Sequence, residues 1–412
     1  MTRLISSFVL ILVLALELYG QENMQLSLND AIETGLKNNP EIRLSAEKIR
    51  ASEGRFWSGI SLPKPELSVS YEYVPLSKGL DSYSERSFEV NQSFEFPANY
   101  FLRGSMLSNE KEIAENEFML TELKIIADIK TAYFITLARS EKLIIAEEIL
   151  SISEEILNKE EIRYKVGEGT NLERLTAKLQ YTQAANEVEV LKNQLAKAYT
   201  DLNYTLGNVK EIKYHLSDSL WLFSINPNTG SFLESALKEH PKLKTSELRV
   251  RSSSTGKALA WSGLLPEFSI GYFRQSLDGN NNYYGASFGI SVPLWFIFDN
   301  RGRIEESAAN LSSAEQEVQL IKNEIYNKVS NAYADFKNEE RQVQLYKTEI
   351  LLQAEEIYNT ARINYESGEI TYTDFLPAKQ VFISSRNNYI DALLSYNLSL
   401  VSLEEAVGKR LR

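Results

Sequence analysis

The sequence predicts a mainly α-helical chain with a β-barrel portion, in which long coiled helical hairpins occur twice and four strands per chain join a barrel completed by other copies. Three observations predict this. The chain repeats itself at an offset of 200 to 201 residues. Each copy holds one stretch of strict apolar and polar alternation, the mark of strands. Each copy also closes on two helical segments far longer than the usual globular helix of about 10–14 residues.

At the start of the chain, Arg3 precedes an apolar stretch from Phe8 to Leu16, and Gly20 stands just before Gln21. This is the layout of a secretory signal peptide over residues 1–20, with an ordinary buried helix as the alternative. The stretch is too short to span a bilayer as a mature helix, and no later run reaches the roughly 18 apolar residues a membrane helix needs. No cysteine follows it, so lipid attachment through an N-terminal cysteine is not expected.

The formal charge is −12, and it stays so without residues 1–20, which hold one base, Arg3, and one acid, Glu17. Such an acidic chain argues against nonspecific nucleic-acid binding. The absence of cysteine rules out disulfides, thiolate metal sites and a cysteine nucleophile. His215 and His240 are the only histidines, and nothing in the sequence brings them together, so each reads as structural or solvated. The carboxylates sit mainly on helical faces beside Lys and Arg, which marks solvated surface. No phosphate loop, nucleophile elbow or metal-ligand cluster occurs, so neither an enzyme nor a cofactor is expected.

The repeat is read from four pairs of segments in the same order. Pro65-Glu66-Leu67-Ser68-Val69-Ser70-Tyr71 returns as Pro266-Glu267-Phe268-Ser269-Ile270-Gly271-Tyr272. Asn39-Pro40 returns as His240-Pro241 and Ala132-Tyr133 as Ala332-Tyr333, while Ile162, Tyr164, Gly167 and Glu168 return as Ile363, Tyr365, Gly368 and Glu369. The expected domains are a first repeat at 21–206 and a second at 231–412, joined by a linker at 207–230 with the turn formers Asn226-Pro227-Asn228.

Each half opens with a short helix, Asn29 to Asn38 or Ser231 to Glu239, closed by Pro40 or Pro241, and a second helix follows. Then Leu67, Val69, Tyr71 and Tyr73 alternate with Glu66, Ser68, Ser70 and Glu72. Phe88, Val90, Phe94 and Phe96 alternate with Ser87, Glu89, Asn91, Ser93 and Glu95, broken only at Gln92. In the second half Phe268, Ile270 and Tyr272 alternate with Ser269 and Gly271, and the row from Tyr284 to Leu294 alternates with Gly285, Ser287, Gly289 and Ser291. Prolines 65, 97, 266 and 293 fall at strand ends, where a missing donor is tolerated. Polar turns at about Ser77 to Ser84 and Asp278 to Asn282 make two hairpins, about 66–96 and 267–294. One apolar aromatic face and one polar face suit a transmembrane barrel, or equally a soluble sheet with one wet face. Four strands cannot close a barrel, and an open sheet of this kind leaves aggregation-prone edges, so several chains must share one.

The long helices are expected at about Ala98 to Arg163 with Leu172 to Leu206, and Arg301 to Asn364 with Tyr372 to Val407. The longer ones would reach roughly 95 to 100 Å. Their apolar positions keep coiled-coil spacing, as in Ile145, Ile149, Ile152 and Ile156, and in Ile304, Ala308, Leu311, Val318, Ile325, Val329, Ala332 and Phe336. A soluble rod would share that spacing but does not explain hairpins inserted at equivalent places. The pairs turn at Tyr164-Lys165-Val166-Gly167-Glu168-Gly169-Thr170 and Tyr365-Glu366-Ser367-Gly368-Glu369-Ile370, where glycine supplies a left-handed residue.

Taken in order, these features resemble the TolC-like family of outer membrane efflux proteins over essentially the whole mature chain. The features are the duplication, the Asn-Pro and His-Pro helix stops, the hairpins followed by proline, and the Tyr-x-x-Gly tips with an acidic residue and Leu-x-Ala downstream. The resemblance implies a homotrimer whose twelve strands close one barrel in the outer membrane lipid, with the helices forming a periplasmic tunnel. It also implies docking on a periplasmic adaptor, or membrane fusion protein, that links the tunnel to an inner-membrane pump. The chain would then be a passive channel subunit of a tripartite efflux system, with no nucleic acid as partner.

The family places acid rings at the tunnel constriction through an Asp-x-x-Asp pattern in the second repeat. Here Asp374 falls on the first acid, but Pro377 replaces the second; the first-repeat equivalent of Asp374 is Glu173. Asp374 and Glu173 either line an ion-attracting constriction or stabilise a helix N-terminus. Val166, Gly167, Gly169, Thr170 and Gly368 are the candidate adaptor contacts, with plain turn formation as the alternative for the glycines. Gln92 to Pro97, followed by Arg103, resembles the branch serving heavy-metal cation efflux, yet 2 His and 4 Met offer no metal-binding chemistry. Drugs, other small molecules or a polypeptide stay open as substrates. The rival readings are a periplasmic coiled-coil scaffold without a pore, which the alternating strands oppose, and an exported enzyme, which the missing catalytic constellation opposes.

Overall fold

The structure is a computed structural model that describes residues 24–208, 212–221, 228–293 and 300–411. The signal peptide expected at 1–20, Asn226-Pro227 of the linker and Leu294 at the end of the last strand lie outside the described residues. In chain order the first half contains β1 (Met24–Leu26), α1 (Leu28–Asn38), α2 (Pro40–Gly59), β2 (Glu66–Glu72), β3 (Glu85–Phe94), α3 (Pro97–Lys165) and α4 (Asn171–Thr205). There follow β4 (Tyr214–Leu216), α5 (Thr229–Glu239), α6 (Pro241–Ser262), β5 (Glu267–Leu277), β6 (Asn280–Ser291), α7 (Asn300–Leu345), α8 (Leu351–Glu366) and α9 (Tyr372–Val407).

The long helix expected from Arg301 to Asn364 is interrupted where periodicity alone reads it as continuous. Tyr346–Ile350 forms a π-helical turn between α7 and α8. Such a turn inserts one residue into the helical ladder and shifts the apolar stripe without ending the helix.

The short helices are bracketed as the sequence suggests. The Ser27 hydroxyl accepts from the Asp30 N–H, and the Asp30 carboxylate reaches back to the Ser27 N–H, a capping box at the start of α1. Asn39 ends α1 in an extended conformation, and its side-chain carbonyl accepts from the Glu41 N–H at 2.8 Å. In the second half His240 takes the same place, its Nδ1 accepting from the Lys242 N–H at 3.1 Å. Pro40 and Pro241 then start α2 and α6, where a missing N–H costs nothing.

The chain divides into two compact units, and they are not the sequence halves. One unit takes residues through Ile42, Thr121–Ala236 and Tyr326–Arg412; the other takes Arg43–Leu120 and Leu237–Ile325. Helices α3 and α7 each contribute to both. No helix among the described residues is long and apolar enough to cross a membrane.

The second unit carries the sheet. Its strand order is β2-β3-β5-β6, antiparallel throughout, so the two hairpins join through β3 and β5. The turn between β5 and β6 is tighter than the sequence suggests. Asp278 (φ 47°) and Gly279 (φ 85°) both take the left-handed region, which lets a two-residue turn match the strand twist. Tyr73, expected at the end of β2, leaves the strand with φ 55°.

In the first unit the short strands β1 and β4 pair in parallel, from Met24 with Tyr214 to Leu26 with Leu216. Their cluster includes Ile32, Ile125, Ile129, Tyr133, Leu202, Leu206 and Val401. The Tyr133 hydroxyl lies 2.8 Å from both the Leu26 carbonyl and the Asp218 carboxylate, which also accepts from the Leu28 N–H at 2.7 Å. One buried phenol thus ties α3 to the strand and to the segment that joins the halves. Lys130 and Glu404, both buried, pair at 2.6 Å between α3 and α9.

Candidate functional site

The two helix reversals lie in the first unit and are built alike. At α3 to α4, Glu168 donates its N–H to the Arg163 carbonyl at 2.9 Å; at α8 to α9, Glu369 donates to Asn364 at 2.9 Å. Gly167 (φ 82°) and Gly368 (φ 80°) supply the left-handed residue that closes each helix end. A side chain at either would be strained by its backbone alone.

A threonine then starts each next helix. Thr170 Oγ1 accepts from the Glu173 N–H at 3.2 Å while Glu173 Oε2 accepts from the Thr170 N–H at 2.8 Å. Thr371 and Asp374 repeat this at 3.3 Å and 3.2 Å. Both sequence-predicted acids therefore sit at the third residue of a capping box. Their surroundings differ. Glu173 is buried, whereas Asp374 is exposed. The Glu173 carboxyl is held below its usual range first by the Thr170 N–H, against a desolvation cost, and then by the Thr170 hydroxyl, Arg163 and the Tyr372 N–H. Asp374 is lowered by the Thr371 hydroxyl first and the Thr371 N–H second. Pro377 lies inside α9, in its second turn.

Between the two hairpins lies an aromatic cluster that the apolar spacing does not single out. Tyr358, Tyr365, Tyr372 and Phe375 pack with Ile156 and Ala177. Tyr365 stacks on Phe375 at 5.3 Å with an interplanar angle of 8°. Its hydroxyl donates to Glu160 Oε1 at 2.5 Å, and Arg163 donates to the same oxygen at 3.1 Å. Glu160 is fully buried, and its second oxygen has no hydrogen-bond partner; nor has the buried Tyr372 hydroxyl. Burial first, and the Glu160 carboxylate second, push the Tyr365 and Tyr372 phenols up, the latter to about 12. Lys379 is also buried and donates to Ser153 Oγ at 2.7 Å. Desolvation lowers its ammonium to about 8.

Sequence reasoning missed Glu160, Lys379 and the role of Tyr365. The one available signal was the repeated tyrosine of the tip motif. Its two copies behave differently: Tyr164 is exposed under the Arg174 guanidinium at 5.1 Å, while Tyr365 is buried. The predicted tip residues Val166, Gly167, Thr170 and Gly368 are exposed, and Gly169 is half-buried. Glu173 is drawn to the start of α9 through the Tyr372 N–H; Asp374 is not drawn to any other predicted site residue.

In the second unit, register assigns every strand residue to one of two faces. Leu67, Val69, Phe88, Val90, Ile270, Tyr272, Phe288 and Ile290 share one face, and several of them are more than half exposed, with Leu67 at 68% and Phe288 at 81%. The other face bears Glu66, Glu72, Glu85, Glu89 and Glu267 among Ser, Asn, Gly and Gln275, with Phe273, Leu277 and Tyr283 toward the hairpin turns and no Lys or Arg. On that face the Gln275 side chain donates to Glu85. Where β3 leaves the sheet, Arg103 ties Glu95 at 2.5 Å to the Gly59 carbonyl at 3.2 Å, fixing the start of α3 against the end of α2. Among the described residues, no group of three or more His, Asp or Glu side chains could hold a metal ion.

The model for the outer membrane efflux protein family matches residues 31–208 and 232–409. The chain belongs to that family. This efflux protein is 24% identical to the pyoverdine export outer membrane protein OpmQ of Pseudomonas putida, over 92% of this chain and 85% of OpmQ. It is 19% identical to the cobalt-zinc-cadmium resistance protein CzcC of Cupriavidus metallidurans, over 93% of this chain and 90% of CzcC. In fold it matches the Campylobacter jejuni CmeC outer membrane channel with a TM-score of 0.80 at 17% identity, over 92% of this chain and 85% of CmeC. Its relatives are outer membrane efflux channels, and like them the efflux protein is not an enzyme.

Proposed function

We propose that three copies of this outer membrane efflux protein close one twelve-stranded barrel and conduct substrate passively out of the cell. The observation that carries the proposal is the sheet of the second unit. It has two edge strands, β2 and β6, a broadly exposed apolar face and an acidic opposite face. A soluble sheet would bury that apolar face; a barrel turns it to lipid and pairs each β6 with a neighbour's β2. The helical part lies in the periplasm and forms a tunnel that receives substrate from a periplasmic adaptor and an inner-membrane pump. Residues 21–206 and 231–412 are the two structural repeats, 207–230 is their linker, and 1–20 is removed on export. The exposed tip residues Val166, Gly167, Thr170 and Gly368, with the half-buried Gly169, meet the adaptor, and Asp374, with Glu173, contributes to the constriction.

Cations are the substrates the acidic face favours, because a lumen lined by like carboxylates concentrates counter-ions. The test is the protein mass of the detergent-extracted particle followed by conductance in planar bilayers. Three chains and a cation-preferring conductance are expected. A monomer or dimer in the soluble periplasm overturns the channel in favour of a coiled-coil scaffold without a pore.

A further inference from the structure

The apolar face of the sheet is interrupted by charge at one end only. Arg86 on β3 lies opposite Ser276, and Arg274 on β5 lies opposite Phe88, so the two arginines share the apolar face as diagonal neighbours about 7–8 Å apart. Both are exposed, and neither forms an ion pair among the described residues. They occupy the two rungs nearest the hairpin turns, where Tyr71 pairs with Arg86 and Arg274 with Tyr284. Arg86 stands 5.6 Å above the Tyr83 ring, which meets Tyr71 edge-on at 5.2 Å. Below them, on the same face, the remaining rungs are apolar down to Phe94 and Phe268, save for Gln92. The acids of the sheet lie on the opposite face, and those of the turns, Asp81 and Asp278, fall beyond the last rung.

We propose that Arg86 and Arg274 form a binding site for the phosphate groups of an outer-leaflet membrane lipid, an inference that rests on the barrel proposed above. From the Arg86 rung to the Phe94 rung is eight residues, or about 27 Å along a strand. With strands tilted by about 40° this is a rise of about 21 Å, a few ångströms short of the roughly 25 Å apolar band of an outer-membrane barrel, and the long arginine stems span the remainder to bring the guanidinium groups level with the headgroups. The turns point away from the ends to which the helices attach, which sets this level in the outer leaflet. Unpaired guanidinium groups facing hydrocarbon are destabilising, whereas at headgroup level each donates in a fork that fits phosphate oxygens. The tyrosines complete an interfacial belt, apolar in the ring and polar at the hydroxyl.

The experiment uses the full chain extracted in detergent, with bisphosphorylated lipid A and its dephosphorylated form as probes, and compares the native protein with the double variants R86Q/R274Q and R86K/R274K. Retained lipid and particle protein mass are read on the same sample by native mass spectrometry. Phosphorylated lipid is expected to be retained roughly 30-fold more weakly by R86Q/R274Q, to an intermediate degree by R86K/R274K, which keeps the charge but loses the fork, and in preference to dephosphorylated lipid by the native chain. Equal retention by native and R86Q/R274Q particles of three chains overturns this site and leaves the barrel standing. Displacement by inorganic phosphate alone overturns it in favour of a soluble anion. Particles of the native chain with fewer than three copies overturn the barrel and this site together. Should R86Q/R274Q fail to assemble, the native chain's preference for phosphorylated lipid decides the matter, equal retention of the two forms counting against it.

Discussion

The hydroxyl of Tyr365 donates to the fully buried carboxylate of Glu160 at 2.5 Å, joining one helical hairpin to the other at their tips. Among the described residues Glu160 has only Arg163 as a second partner, and one of its oxygens has none. A buried carboxylate so sparsely satisfied depends heavily on each donor it has. Replacing Tyr365 with Phe should therefore loosen the tips by about 1–3 kcal/mol. Hydrogen exchange should accelerate at residues 156–177 and 358–379, and channel conductance should rise. Unchanged protection of both segments would show that the aromatic stacking alone holds the hairpins together.

Lys379 gives the tips a dependence on pH. Its folded value of about 8 lies below its ordinary 10.5. Between those values the unfolded chain binds more protons than the folded one, so stability rises with pH in that window. The cost of burying the ammonium is fully present below about pH 8 and is relieved as pH climbs toward 10.5. Local exchange near Ser153 should slow from pH 8 to 10 once the intrinsic rate is corrected for, and Lys379→Met should abolish the trend. A native profile identical to that of the variant would refute it.

Asp374 and Glu173 separate capping from conduction. Both pKa values are lowered by their caps, so the stability they add is present above the unfolded values and is lost as pH falls through the folded ones. Asp374→Asn keeps an N3 side chain without the charge. If Asp374 lines the constriction, Asp374→Asn and Asp374→Ala should both lower cation selectivity in bilayers. Unchanged reversal potentials for Asp374→Ala would leave it as a capping residue alone.

Gly167 and Gly368 are the tip positions at which backbone geometry excludes other residues. Replacement of either by Val should strain the reversal, and efflux should fail while trimers still form. Normal efflux by cells carrying both variants would remove the tips from the adaptor contact.

The acids of the sheet offer a separate test of the lumen. Substituting Glu66, Glu85 and Glu89 with Gln should reduce cation preference without altering particle mass, since these residues share one face across β2 and β3. A conductance with unchanged ion preference would mean that face does not line the conducting path.

Periodicity was enough to read the hairpin strands, and glycine the helical tips, because alternation at a period of 2 and a left-handed residue at a helix end are local requirements of the backbone. The polar character of one sheet face follows from the same alternation. What escaped it arises from residues far apart in sequence. Glu160 and Tyr365 are separated by 205 positions, and Ser153 and Lys379 by 226. On their own helices they look like any Glu, Tyr, Ser or Lys of an amphipathic pattern. The π-helical turn at Tyr346–Ile350 was equally hidden, since one inserted residue changes the phase of the apolar stripe but not its composition.

The sequence by itself determined the four strands of the two hairpins and where the helices reverse, because each depends on neighbours within one turn or one hairpin; the short strands β1 and β4, three residues each, carry no alternation long enough to read. Only the tertiary structure decided that β3 pairs with β5, that the compact units cut across the sequence halves, and that Tyr365 is buried while its counterpart Tyr164 is exposed. Those outcomes depend on which helix packs beside which, and on the desolvation that packing imposes. Identical local motifs acquire different environments when their partners differ.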